Sequence, residues 1–539
     1  MKKENLAVFL IFLCIALIIF FPTRQAGFVT DFYGWQDKFN DQSIFGFINT
    51  FGWHANQQFS VLFFYILYSL FGTSGFGWYA CFSLLHSLNA FLLFLIFNRL
   101  LLRLESQQSK SIAVTGALLF LLSPYNAEVL VWKVCLLYLL SSFLILMILW
   151  QLLNFLESKN KKYVWVICIL FFLALFTFEI SLVTPALIFI MILIWNPAFL
   201  KNKKLLGHGA SLIIPCILLI ALYFLANKMI LNEWIGHYGA PVHLNFSYKE
   251  VISKYFKYFI KYLLFFRFWN YTIQMKVFSF LESNAGIAFF VSLIIGLGIS
   301  GILFFRRLPN RIRLTALCAS MFFISLTPVI TLYMVSLLYG ENDRYGYLAS
   351  MFFCMMLVLI FSFFKRKIYY VASAVMLSIS LYFLIQINTY WVTNNQIYYS
   401  LLNDFRWYDK AEVIVLNIPD NYRGLYMYRI YNEPSALKEG LELIRKKPFK
   451  GKMADISEYN MMTHTDGVHV KADSANNLTV TFNQWGNWWW REGIGASDYH
   501  TDFYSVHFDG QSYHLHLKNI DPNHVIIYQD GDKWKEAGI

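Results

Sequence analysis

Charged residues are scarce in this chain. Only 14% of its 539 residues are Asp, Glu, Lys or Arg, whereas 58% are hydrophobic. Soluble domains carry about 25% charged residues, so most of this chain is not suited to water. Apolar runs of about 20 residues recur, and that is the length a helix needs to cross the hydrocarbon layer. The composition therefore predicts an α-helical polytopic protein of the lipid bilayer.

Cysteine is also rare, and its placement excludes two kinds of site. All seven cysteines lie within apolar runs, and none follows Cys354. This excludes a disulfide framework and a cysteine-based zinc site in an exported region. The chain also lacks a Walker phosphate loop, a GxSxG motif and an HExxH motif. Its net charge of +12 lies largely in short loops beside apolar runs, so we predict no nucleic-acid partner.

The few charges are sorted between alternate gaps of the apolar runs. Basic clusters occupy one set of gaps, for example 99–110, 159–162, 201–204 and 306–313, and acidic residues collect in the other set. Because Lys and Arg are retained on the cytoplasmic side during insertion, the basic gaps predict that side. We therefore expect a bacterial inner (cytoplasmic) membrane, with the N-terminus inside and the acidic gaps facing the periplasm or exterior.

We predict that residues 1–390 form a transmembrane domain with exported loops at 23–77 and 231–285. The loop 23–77 contains an apolar segment too short to span, and 231–285 contains a basic, aromatic helix with Lys261 that is typical of a membrane surface. We predict about eleven transmembrane helices, at 5–22, 78–101, 112–123, 130–154, 163–178, 181–196, 210–230, 286–305, 314–338, 346–364 and 368–389.

We predict that residues 391–539 form a separate extracytoplasmic soluble domain with an α/β or β-rich fold. Their composition is more polar, and about 140 residues are enough for an independent core. Helical spacing marks 433–446, and the predicted strands are 411–418, 478–482, 503–508, 513–517 and 525–528.

Carboxylates of the acidic gaps are candidates for acid–base chemistry. Asp31 lies among aromatic residues shortly after the first span, where a carboxylate can act as a general base. Glu128 and Glu179 stand at the mouths of spans, and ionisable groups at membrane depth tend to be functional or paired. Lys133 could pair with Glu128, although a spacing of five residues is not ideal on a helix. A solvated loop acid, a helix cap or structural pairing remains the alternative for these carboxylates.

Two further positions could contact a substrate. Arg344 opens a span from the acidic side, where its guanidinium can bind phosphate oxygens in a forked geometry. An ordinary ion pair with a nearby acid is the alternative. His86 lies within the second span, one turn from Asn89, and hydrogen bonding between helices is the ordinary explanation for both.

Four sequence blocks resemble those of the GT-C superfamily of polytopic membrane glycosyltransferases, most closely bacterial relatives of the protein O-mannosyltransferases. They occur in the family's order over about residues 25–350. The blocks are LLHSLNA at 84–90, SPYNAEV at 123–129, FE followed by TP at 178–185, and DRYGYL at 343–348.

The resemblance implies sugar transfer from a polyprenyl-phosphate-linked donor, outside the cytoplasm and with inversion. It implies Asp31 as general base, and by position and chemistry Arg344 at the donor phosphate. We also predict Glu128 in the catalytic set. The predicted substrate-binding set is Arg344, Tyr345, Glu179, Lys133 and His86. The acceptor is a protein or a glycolipid. No cofactor is certain, and a divalent metal stays open because Phe32 follows Asp31 where relatives carry a second carboxylate.

Two other classes of protein compete with this interpretation. A lipid or glycan transporter or flippase should show internal repeats and broken spans with polar sites at mid-membrane. A non-catalytic envelope assembly protein would bind through its exported tail and would tolerate loss of Asp31. The polar residues gather at span mouths, which favours the transferase.

Overall fold

The computed structural model describes most of the chain. It covers residues 3–29, 31–32, 35–36, 39, 43, 46, 56–104, 108–196, 199, 203–234, 247–304, 308–330, 343–408, 412–428, 436–474, 476–482, 488–490, 493–494, 498–518 and 524–538. Parts of the predicted exported loops 23–77 and 231–285 lie outside these ranges.

Apolar runs form helices throughout the first 400 residues, because a helix satisfies its own backbone hydrogen bonds in lipid. The α-helices are α1 Lys3–Phe20, α2 Gln58–Phe71, α3 Gly75–Arg103, α4 Ser109–Leu121, α5 Ala127–Val131, α6 Leu136–Ser158, α7 Lys162–Leu175, α8 Thr184–Trp195, α9 Lys203–Leu231, α10 Tyr248–Leu264, α11 Tyr271–Glu282, α12 Asn284–Phe304, α13 Asn310–Ile330, α14 Tyr347–Phe361 and α15 Arg366–Asp404.

Each of the eleven predicted spans overlaps a helix, but these helices differ in length. Residues 331–338 of the predicted span 314–338 and residue 305 of 286–305 lie outside the described residues. Within the described ranges, seven helices are long and apolar enough to cross a membrane, or nine if each of two bent pairs counts as one span. The bent pairs are Ser109–Leu121 with Pro124–Val131, at 51°, and Thr272–Glu282 with Asn284–Leu293, at 68°. α7 has 14 residues, so its length of about 21 Å falls short of the hydrocarbon thickness. The count of eleven therefore stays a prediction.

The last long helix joins the membrane part to the C-terminal region without a break. α15 has 39 residues, a length of about 58 Å, nearly twice the hydrocarbon thickness. Its C-terminal half contacts the strands that follow. Asn394 donates to the backbone oxygens of Leu425 and Tyr426 at 2.7 and 3.1 Å, and Trp534 Nε1 donates to Leu401 O at 2.8 Å.

The C-terminal region is a mixed α/β fold with three sheets among its described residues. Its strands are β1 Glu412–Val415, β2 Ile418–Tyr422, β3 Leu425–Tyr426, β4 Lys452–Asp455, β5 Glu458–Met461, β6 Val468–Ser474, β7 Asn477–Phe482, β8 Trp488–Trp490, β9 Gly493–Ile494, β10 Tyr499–His500, β11 Tyr504–Asp509, β12 Ser512–Leu517, β13 His524–Asp530 and β14 Lys533–Glu536. One further helix, α16, spans Ala436–Arg445.

Two of the sheets contain parallel strand pairs. The sheet orders are β14-β13-β1-β4, β10-β11-β12-β7-β6 and β3-β2-β5-β8-β9. β1 pairs in parallel with β13 and β4, and β2 pairs in parallel with β5. Parallel neighbours need a crossover connection, and α16 lies on the one from β1 to β4. The predicted strands 478–482, 503–508, 513–517 and 525–528 are confirmed, and α16 lies within the predicted helix 433–446, of which 433–435 lie outside the described residues. The prediction of one strand at 411–418 is wrong, because β1 ends at Val415 and Ile418 begins β2 in a different sheet.

Candidate active site at one mouth of the helices

Glu128 of α5 and Arg344, which lies in the turn directly before α14, form a buried ion pair. We call the end of the helices at which these two residues lie the mouth. Arg344 donates to Glu128 twice, from its backbone N–H at 2.6 Å and from Nη1 at 2.7 Å. The two side chains are only 11% and 2% exposed. The alternative prediction of a Glu128–Lys133 pair is therefore wrong, because both carboxylate oxygens of Glu128 accept hydrogen bonds from Arg344, 216 residues later in the chain.

Aromatic rings enclose the Arg344 guanidinium. Its Cζ lies 5.0 Å from the Trp132 ring centroid, 4.6 Å from that of Tyr345 and 5.6 Å from that of Tyr426. Nη2 also donates to the Tyr345 hydroxyl at 3.2 Å. Such contacts are strongest where water is excluded, and the three aromatic residues are all less than 9% exposed. Arg344 is thus fixed by charge on one side and by rings around it.

A second ionic cluster lies next to the first, because its carboxylate, Asp343, directly precedes Arg344 in the chain. Asp343 forms salt bridges with Lys261 and with Arg267, whose Nη1 lies 2.5 Å from Asp343 Oδ2. Lys261 and Asp343 are each 1% exposed, so Lys261 lies on the buried side of α10. That α10 lies at a membrane surface stays a prediction. Burial lowers the pKa of Lys261, and the Asp343 carboxylate opposes that shift. Helical lysine spacing is visible in the sequence, but nothing in it identifies Asp343 as the partner.

Lys133 is buried beside two aromatic rings. It is 1% exposed and begins the short 3-10 turn that leads into α6. Its Nζ lies 5.5 Å from the ring centroid of Phe28 and 5.7 Å from that of Phe82. Within the described part of the chain, no carboxylate pairs with it. A buried ammonium against two rings is costly unless an anion joins it.

The short segment that precedes Asp31 contacts the Trp132–Lys133 turn. The Lys133 backbone N–H donates to Gly27 O at 3.1 Å, and Trp132 Nε1 donates to Val29 O at 3.3 Å. Asp31 follows two residues later and is half-buried. Asp31 therefore follows directly on a segment that contacts the Trp132–Lys133 turn.

Gly27 is required for this approach, and its replacement gives a test. Gly27 has φ +86°, and a Cβ there would lie 1.9 Å from Val131 O. We expect Gly27→Ala to cost about 3 kcal/mol or more of folding free energy, since both the backbone conformation and the contact forbid a side chain. Thermal unfolding in detergent would measure the loss. Gly207→Ala is the control, because a Cβ there meets no atom within 4 Å, and equal stability of the two variants would contradict the account.

Glu179 and His86 have their partners elsewhere. Glu179 accepts from Gln57 Nε2 at 3.3 Å and from the Tyr223 hydroxyl at 3.4 Å. His86 lies 2.7 Å, through Nδ1, from the Tyr347 hydroxyl and 3.2 Å, through Nε2, from Leu121 O. These contacts fit the alternatives stated for both residues, structural pairing and hydrogen bonding between helices.

The charges of the described residues at the mouth do not balance. Among these residues, four cations accompany three carboxylates, an excess of one positive charge: Lys133, Arg344, Lys261 and Arg267 against Asp31, Glu128 and Asp343. Among the residues that the structure covers, no three His, Cys, Asp or Glu side chains could hold a metal ion. Since both Glu128 oxygens are also engaged, the described residues do not fit a divalent metal. The mouth fits an anion.

Comparison with known proteins leaves the family open. No family model and no curated protein matches the chain. Among solved structures it is similar to ArnT from Cupriavidus metallidurans, crystallised with undecaprenyl phosphate bound. That likeness covers 84% of this chain and 90% of the other, at 12% identity and a TM-score of 0.33. A TM-score this low supports no conclusion about this chain.

Proposed function

We propose that this chain is a membrane glycosyltransferase that moves a sugar from a polyprenyl-phosphate-linked donor to an acceptor on the extracytoplasmic face, with inversion. The Lys133 ammonium, which is buried with no carboxylate partner among the described residues, carries the proposal. The described residues of the mouth carry one excess positive charge, which can bind a phosphate head group. The apolar helices beside them can contact the hydrocarbon chain of the same lipid. The four GT-C-like sequence blocks support the same chemistry.

The proposed mechanism divides the work between cations and a carboxylate. Breaking the bond between the sugar and the phosphate leaves negative charge on the phosphate oxygens. Preorganised cations in a site that excludes water stabilise such charge, and we assign this role to Lys133 with Arg344 beside it. Glu128 holds Arg344 in place through two hydrogen bonds and acts as its positioning residue.

Asp31 is the proposed general base. It accepts the proton of the acceptor hydroxyl as that oxygen bonds to the anomeric carbon, while the bond from that carbon to the phosphate oxygen breaks. Inversion requires attack from the face opposite the phosphate. The base and the cations must then lie on opposite sides of the sugar. Asp31 and Lys133 belong to different segments of the chain, one after α1 and the other directly before α6, which is compatible with this requirement. A protein or a glycolipid would serve as acceptor.

One observation favours a transporter as the second candidate. Broken spans are common in transporters, and this chain has two helix pairs bent by 51° and 68°. The charged cluster described above nevertheless lies at one mouth of the helices. A flippase would move the lipid-linked sugar across the membrane and would not change what the sugar is attached to.

Comparison of native glycans separates the two candidates. Glycans and lipid-linked sugars would be analysed by mass spectrometry in a strain that lacks the protein, in its parent, and in the strain complemented with Asp31→Asn. A transferase predicts one sugar missing from an acceptor, intact lipid-linked donor on the outer leaflet, and no rescue by Asp31→Asn. Donor confined to the cytoplasmic leaflet would favour the flippase, and unchanged glycans would contradict both.

A further inference from the structure

A hairpin of the C-terminal region reaches the mouth of the helices. β2 and β3 are joined by Arg423 and Gly424, at φ +52° and +78°. Two positive φ values in a two-residue loop define a type I′ turn, which fits the twist of an antiparallel pair. The Gly424 backbone N–H donates to Asn421 Oδ1 at 2.8 Å and closes the turn.

The hairpin is fixed to the helix that leaves the membrane part. Arg423 Nη1 donates to the Tyr390 hydroxyl at 2.9 Å, and Nε donates to Met462 O at 2.8 Å. Asn394 of α15 donates to the backbone oxygens of Leu425 and Tyr426. Side chains of α15 therefore fix both the turn and β3, and the hairpin has a defined position over the mouth.

The same hairpin contacts both ionic clusters. Arg267 Nη2, from the Asp343 cluster, donates to Arg423 O at 3.4 Å. The Tyr426 ring lies 5.6 Å from Arg344 Cζ and 4.9 Å, centroid to centroid, from the Trp132 ring. Tyr426 is 6% exposed, so its ring is a buried contact between the C-terminal region and the Arg344 guanidinium.

We infer that the C-terminal domain completes the site and that Tyr426 is a positioning residue, which holds the Arg344 guanidinium where it meets the donor phosphate. The inference rests on the proposed function for the role of the phosphate. The contact itself is independent of that function. The membrane part alone would leave Arg344 with two of its three rings and open to water, and the C-terminal domain is thus part of the catalytic unit rather than a separate binding module.

Three single variants of the full-length protein test this inference: Tyr426→Ala, Tyr426→Phe and Tyr428→Ala. Tyr428 is the matched control, because it is 1% exposed on the same segment, donates to Tyr398 O at 3.0 Å and has its ring 4.6 Å from that of Tyr398, centroid to centroid. Tyr426→Phe keeps the ring and therefore the contact with the guanidinium.

The first measurement is hydrogen exchange of the peptide that contains the Arg344 backbone N–H, which Glu128 protects at 2.6 Å. We expect Tyr426→Ala to speed this exchange about tenfold, Tyr426→Phe to leave it unchanged, and Tyr428→Ala to lower thermal stability without affecting it. Unchanged exchange in Tyr426→Ala would overturn the inference, whatever reaction the protein performs.

The second measurement is sugar transfer from a polyprenyl-phosphate-linked donor. We expect Tyr426→Ala to raise the KM for the donor about tenfold while kcat falls less, and Tyr426→Phe to restore the wild-type KM. An equal rise of KM in Tyr428→Ala would assign the effect to general destabilisation and overturn the inference. If wild-type protein transfers no sugar, the proposed function fails and hydrogen exchange alone decides on Tyr426.

Discussion

Lys133→Met is expected to raise the stability of the protein and to abolish its activity. The ammonium of Lys133 is 1% exposed and has two aromatic rings, not a carboxylate, beside it among the described residues. Replacing it by an apolar side chain of similar length removes the cost of burying a charge, so the melting temperature should rise. Sugar transfer should fall roughly 100-fold or more, which is the usual effect of losing one preorganised group that stabilises developing charge.

This opposite response of stability and activity distinguishes a binding residue from a structural one. Thermal unfolding and transfer rates would be measured on the same purified samples. Lys110→Met is the control, because Lys110 pairs with Glu4 at 2.6 Å on the surface and should change neither quantity much. A Lys133→Met variant that is less stable and fully active would show that the ammonium has a structural role.

Glu128→Gln is expected to impair stability and activity together. The substitution removes the negative charge that faces Arg344 and leaves a buried guanidinium without its counter-ion. Breaking a buried pair from one side typically costs about 3–5 kcal/mol. Transfer should fall as well, because Gln keeps only one of the two acceptor oxygens, so Arg344 loses one of the two hydrogen bonds that fix its backbone and its side chain.

An exposed pair of the same chemistry provides the control. Glu157 pairs with Arg99 and is 47% exposed, so Glu157→Gln should cost less than about 1 kcal/mol. The double variant Glu128→Gln/Arg344→Met should be more stable than Glu128→Gln alone, since no unpaired charge remains. Additive losses in the double variant would contradict a direct pairing of the two residues.

The sequence predicts the helices of this protein well and its spans less well. Apolar runs of sufficient length have few alternatives to a helix in lipid, and each predicted span overlaps one. The number of crossings is harder to derive, because Pro124 bends one segment and α7 ends at Leu175 after 14 residues. In the C-terminal region, the alternation of 478–482 predicts β7, but the parallel pairing of β1 with β4 depends on distant residues.

The candidate site is predicted only in part, and the reason is sequence separation. Asp31, Glu128, Lys133 and Arg344 stand out because charges near membrane spans are rare. The sequence does not show how they pair, since 216 residues separate Glu128 from Arg344 and 76 separate Arg267 from Asp343. Lys261 resembles an ordinary surface lysine until its partner is known. Tyr426 has no local signal, because its role depends on how the C-terminal domain packs on the membrane part.

The central claim is tested most directly by sugar transfer with purified protein. Wild type and Asp31→Asn would be incubated with a radiolabelled polyprenyl-phosphate sugar and a membrane or periplasmic extract as the source of acceptor, with Lys133→Met in parallel. The account predicts a labelled acceptor with wild type and a loss of about 1000-fold in Asp31→Asn. Full activity in Asp31→Asn would contradict its assignment as the base, and no labelled product with wild type in any extract would contradict the proposed function itself.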